Sequence, residues 1–165
     1  MTVVLARVDD RLIHGQVTVG WCQQLQPDRL LLANNAIAAD AWQCRVYASS
    51  VPPRIQVSIL SVAEAVNLLK GSEAEQEKVM VLTGSLPEMV DLVRLGAPIT
   101  RVNLGGIHFA PGKRELYPFV YLDDLDLRAL CRLAELGVDV FAQQVPGGRE
   151  HGLGVQAIRE LGGPC

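Results

Sequence analysis

Short apolar runs alternate with stretches of helical spacing along most of the chain. Thr2–Ala6 is an apolar run that reads as a fully buried strand. From His14 onward the apolar positions change to Val17, Trp21 and Leu25, four apart, which is one face of a helix. Leu30–Ala33 is a second strand, and Ala38–Ser50 is helix-like, closed by the breaker pair Pro52–Pro53. Val57–Leu60 is a third strand. Ser61-Val-Ala-Glu64 then has the spacing of a capping box and opens a helix to about Lys70, before Gly71. Ser72–Glu77 is a polar surface loop with solvated charges, followed by a fourth strand over Val79–Leu82. A second capping box, Ser85-Leu-Pro-Glu88, opens the next helix, ended by Gly96, and Val102–Leu104 is a fifth strand.

Beyond Leu104 the rhythm changes. Gly105–Gly106 and Pro111–Gly112 bracket a loop, and Glu115–Leu122 reads as one extended stretch. Asp123, Asp124 and Asp126 load the first turn of a helix whose apolar face is Leu127, Leu130, Cys131 and Ala134, with Gly137 as terminator. Val138–Val145 is a last strand, and Val155–Leu161 a short helix in a glycine-rich tail that is poorly specified after about residue 146. Short apolar strands alternating with helices predict the α/β class: an open, mostly parallel twisted sheet of about six or seven strands with helices on both faces. No repeat or linker divides the chain, so residues 1–165 form a single domain. Such sheets bind ligands at the carboxyl ends of their strands, where strand order reverses. A central first strand would put its own loop and the loop after the fourth strand together at that crevice.

Composition narrows the classes. A net charge of −3 supplies no basic field for nucleic acid. No apolar run approaches the roughly 20 residues that span a bilayer, and the N-terminus lacks a signal-peptide pattern, so a cytoplasmic protein is expected. Cys22, Cys44, Cys131 and Cys165 show neither CxxC pairing nor zinc spacing. The first three read as buried thiols of a reducing compartment, and Cys165, the last residue, as exposed. Three scattered histidines offer no metal site.

The loop between the first strand and its helix, within Arg7–Trp21 (RVDDRLIHGQVTVGW), carries far more charge than turning the chain requires. The neutral imidazole of His14 is a nucleophile that takes a proton or a phosphoryl group. Arg7 and Arg11 supply guanidinium donors matched to phosphate oxygens, and the helix that starts at Gly15 favours an anion at its first turn. Gly15 leaves room beside the ring, Gln16 is a further donor, and Asp9 or Asp10 orients the imidazole or clamps an arginine. Residue chemistry leaves a plainer alternative open, in which Asp9 and Arg11 pair at the surface and His14 caps a helix.

RVDDRLIHGQV followed by a tryptophan closely resembles the phosphoacceptor signature of enzyme IIB in the mannose–fructose–sorbose family of the bacterial phosphoenolpyruvate:sugar phosphotransferase system. Weaker blocks follow in order, LLLANNAIAAD (Leu30–Asp40), VMVLTGSLPEMVDLV (Val79–Val93) and VNLGGIHFAPGKRE (Val102–Glu115), so the resemblance runs to about Val145. It implies a cytoplasmic phosphocarrier, peripherally associated with the membrane permease. His14 would accept a phosphoryl group from phosphorylated enzyme IIA and pass it to a sugar at the membrane IIC and IID components. Arg11, with Arg7, would neutralise the transferring phosphoryl oxygens, and no metal or organic cofactor is implied. A contact surface around His14 is expected to include exposed Leu12 or Ile13, and a homo-oligomer stays open. The rival from another class is a regulatory phosphohistidine protein without transport, which needs the same acceptor. A nucleotide-binding α/β protein has only the fold class behind it.

Other residues carry less. Thr83, Gly84 and Ser85 are possible phosphate donors, though capping by Ser85 accounts for them. Gly105-Gly106-Ile-His108 lacks phosphate-loop spacing, and His108 reads as a satisfied loop histidine. Lys113 and Arg114 form a solvated turn, His151 is inert, and Trp21 and Trp42 are core residues.

Overall fold

The computed structural model describes residues 1–71 and 76–165. In chain order it comprises β1 (Thr2–Asp9), a π-helical turn (Gln16–Trp21) continuing into α1 (Cys22–Leu25), β2 (Arg29–Ala33), α2 (Asn35–Ala38), α3 (Ala41–Ser49), β3 (Gln56–Leu60), α4 (Val62–Lys70), β4 (Lys78–Thr83) and α5 (Leu86–Arg94). The second half adds β5 (Arg101–Gly106), β6 (Arg114–Tyr117), β7 (Val120–Leu122), α6 (Asp124–Glu135), β8 (Asp139–Ala142), β9 (His151–Gly152) and α7 (Val155–Glu160). Seven strands form one sheet in the order β3-β2-β4-β1-β5-β8-β9, parallel except for the short edge strand β9. This is the open, mostly parallel sheet that the alternation predicts.

Strand periodicity divides the core. Leu31, Ala33, Val79, Val81, Ala6, Val8, Val102 and Leu104 face α4, α5, α6 and α7. Their alternates Leu30, Leu32, Met80 and Leu82 face Val17, Trp21, Cys22 and Ile37. Both faces are therefore covered, as a parallel sheet requires. β1 lies between β4 and β5, and its last residues, Ala6–Asp9, are wholly buried. Its amino half is only half-buried, contrary to the fully buried run expected, because a shallow cleft of about 110 Å³ lined by Val4, Ile99 and Phe141 opens beside it.

Local signals set most boundaries. Ser61 accepts from the Glu64 amide while the Glu64 carboxylate accepts from the Ser61 amide, which closes the capping box of α4. Asp123 and Asp126 do the same for α6, and Gly137, at φ +77°, follows it. At α5 the box is not reciprocal: Ser85 accepts from the Glu88 amide, but the Glu88 carboxylate accepts hydrogen bonds from the Gly84 amide, the Asn34 amide group and the Ser85 hydroxyl. The helix expected over Ala38–Ser50 starts later, as α3 at Ala41, because Asp40 caps it, accepting from the Trp42 and Gln43 amides, and Ala38 instead ends the short α2.

Several expectations change. Glu115–Leu122 is not one strand but the antiparallel hairpin β6–β7, in a separate two-stranded sheet. The strand expected over Val138–Val145 is β8, which stops at Ala142, and β9 follows it. Trp42 is 65% exposed on α3, a helix without a buried residue, so it is not a core residue. Of the polar loop Ser72–Glu77, residues 72–75 lie outside the described residues, and Glu77 is not solvated but paired with Arg29. Lys113 is drawn down between Asp123 and Asp126 rather than left in a solvated turn. Cys131 and Cys165 are not free thiols: they form a disulfide that ties the end of the chain to α6. Cys22 is a buried thiol, and Cys44 is half-buried with its thiol directed at the Ile37 carbonyl. Among the described residues no helix is long and apolar enough to cross a membrane.

Candidate functional site

The site grows from the carboxyl end of β1. Arg7 and Asp9 are two residues apart on one strand, so both side chains project from the same sheet face, the one covered by Trp21. The chain then turns, with the Leu12 amide donating to the Asp9 carbonyl. Leu12 sits at φ +59°, a left-handed conformation that costs a branched residue about 1–2 kcal/mol. Its side chain is buried against Gly84, where a Cβ would come within 2.9 Å of Leu12 Cδ2. The turn sends His14 back over the strand end, and the His14 carbonyl then accepts from the Val17 and Thr18 amides to start the helical turn.

Asp9 is the hub. Its carboxylate is fully buried and accepts from Arg7 Nη2 at 2.8 Å, His14 Nε2 at 3.0 Å, Arg11 Nε at 3.2 Å and Arg11 Nη2 at 3.3 Å. Burial pushes its pKa up, but the His14 and Arg11 hydrogen bonds and the Arg7 charge outweigh that and hold it well below the ordinary carboxylate range. An ionised carboxylate has no proton to donate, so His14 Nε2 is the protonated nitrogen. On the other side of the ring the Gln16 amide points at Nδ1 at 3.3 Å, which requires a lone pair there. One tautomer satisfies both contacts. The imidazole is partly exposed, at 17%.

The two arginines occupy different positions. Arg11 is one-third exposed, donates from Nη2 to Gln16 Oε1 at 2.8 Å, and has no partner for Nη1 among the described residues. Gln16 turns its oxygen to Arg11, which leaves its amide N–H₂ for another acceptor. Arg7, expected beside Arg11 as a phosphate ligand, is fully buried instead. Its Nη1 donates to Asn103 Oδ1 and the Gln143 carbonyl, its Nη2 to Asp9 and the Gln144 carbonyl, and its guanidinium lies 5.3 Å from the Trp21 ring centre. Burial pushes its pKa down while Asp9 opposes the shift. With these donors committed inside the protein, Arg7 does not reach an incoming phosphate in this arrangement.

The aspartates also separate. Asp10 does not face His14. Its amide donates to the Gly106 carbonyl, and its carboxylate accepts from the His108 amide at 2.7 Å and His108 Nδ1 at 2.6 Å, which stitches the loop to the end of β5. Gly15 is exposed, and a Cβ built on it would meet nothing within 4 Å, so the space beside the ring is open. Thr83, Gly84 and Ser85 are occupied with one another and with Glu88. Leu12 and Ile13 are buried, 8% and 5% exposed, because the left-handed turn points them into the core, so neither lies on a contact surface. The exposed apolar side chains on the flanking elements are Val19, Phe109 and Val145. His151 stacks on Tyr117 of the hairpin at 4.5 Å.

Asn103, Gln143 and Gln144 were not foreseen as part of the site. Asn103 did leave a signal, a polar residue inside the apolar run Val102–Leu104 whose side chain must find partners once buried.

Against known proteins, the phosphotransferase system (PTS) sorbose subfamily IIB component model matches residues 3–155. The sorbose-specific EIIB component of Lacticaseibacillus casei is 37% identical over 138 residues, 84% of each chain. The mannose-specific EIIAB component of Escherichia coli K12 is 31% identical over 145 residues, 88% of this chain and 45% of that one. The crystal structure of the IIBSor domain of the sorbose permease from Klebsiella pneumoniae superposes with a TM-score of 0.89 at 30% identity, covering 100% of both chains.

Proposed function

The chain belongs to the IIB components of the PTS sorbose subfamily, phosphotransferases of sugar uptake, and from that premise we propose that His14 is its phosphoacceptor. In this reading His14 Nδ1 gives up its long contact with the Gln16 backbone amide and attacks the phosphorus carried by phosphorylated enzyme IIA. The bond between phosphorus and Nδ1 forms as the bond to the donor breaks, and the proton on Nε2 stays in place, held to Asp9. Asp9 balances the positive charge that develops on the ring. Arg11, through its free Nη1, and Gln16, through its amide, neutralise the equatorial oxygens, and Gly15 gives the phosphoryl group room beside the ring. Arg7 acts from below by holding Asp9, and Asp10 by holding the loop. A sugar hydroxyl then takes the phosphoryl group at the membrane IIC and IID components, with the protein working in the cytoplasm as a peripheral partner of the permease. The EIIAB relative has a name that joins an A and a B component in one protein, which supports enzyme IIA as the donor.

The observation that carries this reading is the single tautomer of His14, its Nε2–H held by Asp9 and its Nδ1 lone pair facing the Gln16 backbone amide, on a partly exposed ring beside two guanidinium groups that share one carboxylate. The test is incubation with phosphoenolpyruvate, enzyme I, the histidine carrier protein and a sorbose-family enzyme IIA, followed by intact-protein mass spectrometry. One phosphoryl group is expected, acid-labile and alkali-stable as a phosphoramidate, absent from His14→Ala and present in His108→Ala and His151→Ala. An acid-stable phosphate, or full acceptance by a folded His14→Ala protein, would overturn it.

A further inference from the structure

The two glycines that end β5 stand where the two arginines of the site must lie. A Cβ on Gly105 would sit 1.7 Å from Arg7 Cζ, 2.1 Å from Nη2 and 2.2 Å from Nη1, inside the guanidinium itself. A Cβ on Gly106 would come within 3.1 Å of Asp9 Oδ1 and 3.3 Å of Arg11 Nη2. Neither glycine has a positive φ, so backbone freedom does not explain them. The register against β1 shifts at Gly105, but a bulge without a positive φ does not require glycine, and glycine otherwise weakens a strand interior unless something approaches closely. Clearance for these side chains is the explanation that remains.

We propose that Gly105 and Gly106 are positioning residues for phosphoryl transfer: the bare end of β5 admits both guanidinium groups to Asp9 and so sets the tautomer of His14. The chain of contacts is short. Gly105 leaves the volume that the Arg7 guanidinium fills, with Asn103 Oδ1 and the Gln143 and Gln144 carbonyls closing it in. From there Arg7 Nη2 fixes one edge of the Asp9 carboxylate, and the same oxygen, Oδ2, holds His14 Nε2. Gly106 clears the opposite edge, Oδ1, where Arg11 Nε is bound. A methyl group at 105 would drive the guanidinium from 1.7 Å to an ordinary contact of about 3.4 Å. The backbone has little room to retreat and absorb that, since β5 is anchored on both sides of Gly105, to β8 as far as Leu104 and to β1 and the Asp10 amide at Gly106. Asp9 would lose its buried cation and His14 its fixed orientation.

The inference rests on His14 as the acceptor, so the experiment has two arms. Gly105→Ala and Gly106→Ala are compared with Gly152→Ala, an edge-strand site where a Cβ meets nothing within 4 Å. One arm measures the initial rate of phosphoryl acceptance from phosphorylated enzyme IIA. The other reads the tautomer of His14 directly from its ring ¹⁵N shifts, with no phosphoryl donor present. Gly105→Ala should slow acceptance by roughly a hundredfold, the scale of an ångström's misplacement, and replace the Nε2–H signature by a tautomer mixture. Gly106→Ala should move both readouts in the same direction but less, and Gly152→Ala neither. If Gly105→Ala does not fold, Gly106→Ala decides alone. A folded Gly105→Ala protein with unchanged rate and tautomer would overturn the inference, and so would slowed acceptance with an unchanged tautomer. Wild-type protein that accepts no phosphoryl group would defeat the functional reading instead, and the tautomer arm would still judge the glycines.

Discussion

Replacing Asp9 with Asn removes one charge and keeps the shape, and its consequences follow from the buried geometry. The Arg7 guanidinium is fully buried and, among the described residues, has one anionic partner, Asp9 at 2.8 Å. Removing one member of a buried pair costs about 3–5 kcal/mol, because the other charge stays desolvated. The carbonyl oxygens of Asn103, Gln143 and Gln144 still hold Arg7, so the lower end, about 3 kcal/mol, applies. For a chain of 165 residues each kcal/mol moves Tm by roughly 2–4 °C, a fall of roughly 6–12 °C by calorimetry. The amide also offers His14 a donor where the carboxylate offered only acceptors, so the imidazole no longer has one preferred tautomer. Phosphoryl acceptance should fall by roughly 10²–10⁴, the range seen when a histidine loses its orienting carboxylate. The sign with pH follows from the lowered pKa of Asp9. A carboxyl held below its unfolded value of about 3.9 stabilises the fold fully above that pH, and the contribution is lost as pH falls toward the folded value. The Tm gap between wild type and Asp9→Asn should therefore stay constant from pH 8 to 5 and narrow below about pH 4. Wild-type Tm and wild-type transfer in Asp9→Asn would refute the account of Asp9 as hub, and a gap that widened in acid would refute its ionisation.

Two further outcomes follow. Arg11→Lys keeps a charge but loses the fork that spans Asp9 and Gln16, so acceptance should slow by at least about tenfold, while Tm changes by under about 4 °C because a one-third-exposed pair contributes about 1 kcal/mol or less; quenched transfer assays and a thermal melt separate the two effects. Reduction of Cys131–Cys165, which spans 34 residues of sequence, should add 2 Da to the intact mass and lower stability by at most about 4 kcal/mol, the loop-closure value, and Cys165→Ser should melt identically with and without reductant.

Most of the fold was legible because its signals are local. Apolar runs and helical spacing are read within a turn or a strand, and the caps at Ser61 and Asp123 lie three residues from their partners. The same reasoning failed where local signals are shared by two outcomes. An apolar extended stretch from Glu115 to Leu122 serves one strand or a tight hairpin turning at Pro118, and the spacing of Trp42 is helical whether its face meets the core or solvent. The free-thiol reading of Cys131 and Cys165 rested on motif spacing, which carries no information about a terminal residue folded back onto α6.

For the site, the chain order of RVDDRLIHGQV was enough to collect the right chemistry in one loop, because a strand end and a helix start a few residues apart cannot separate their side chains. It was not enough to assign the parts. Arg7 and Arg11 look alike in sequence, as do Asp9 and Asp10. Arg7 is set apart by Asn103 and Gln143, 96 and 136 residues away, and Asp10 by His108, 98 residues away. Strand alternation accounts for Arg7 and Asp9, which point into the face beneath Trp21, while Asp10 lies past the strand end and is placed by His108. Periodicity is a property of neighbours in the chain, so the sequence determines which elements form and where charge accumulates. Burial and partnership are properties of neighbours in space, and only the packed sheet decided which arginine reaches solvent, which aspartate holds the imidazole, and which glycines must stay bare.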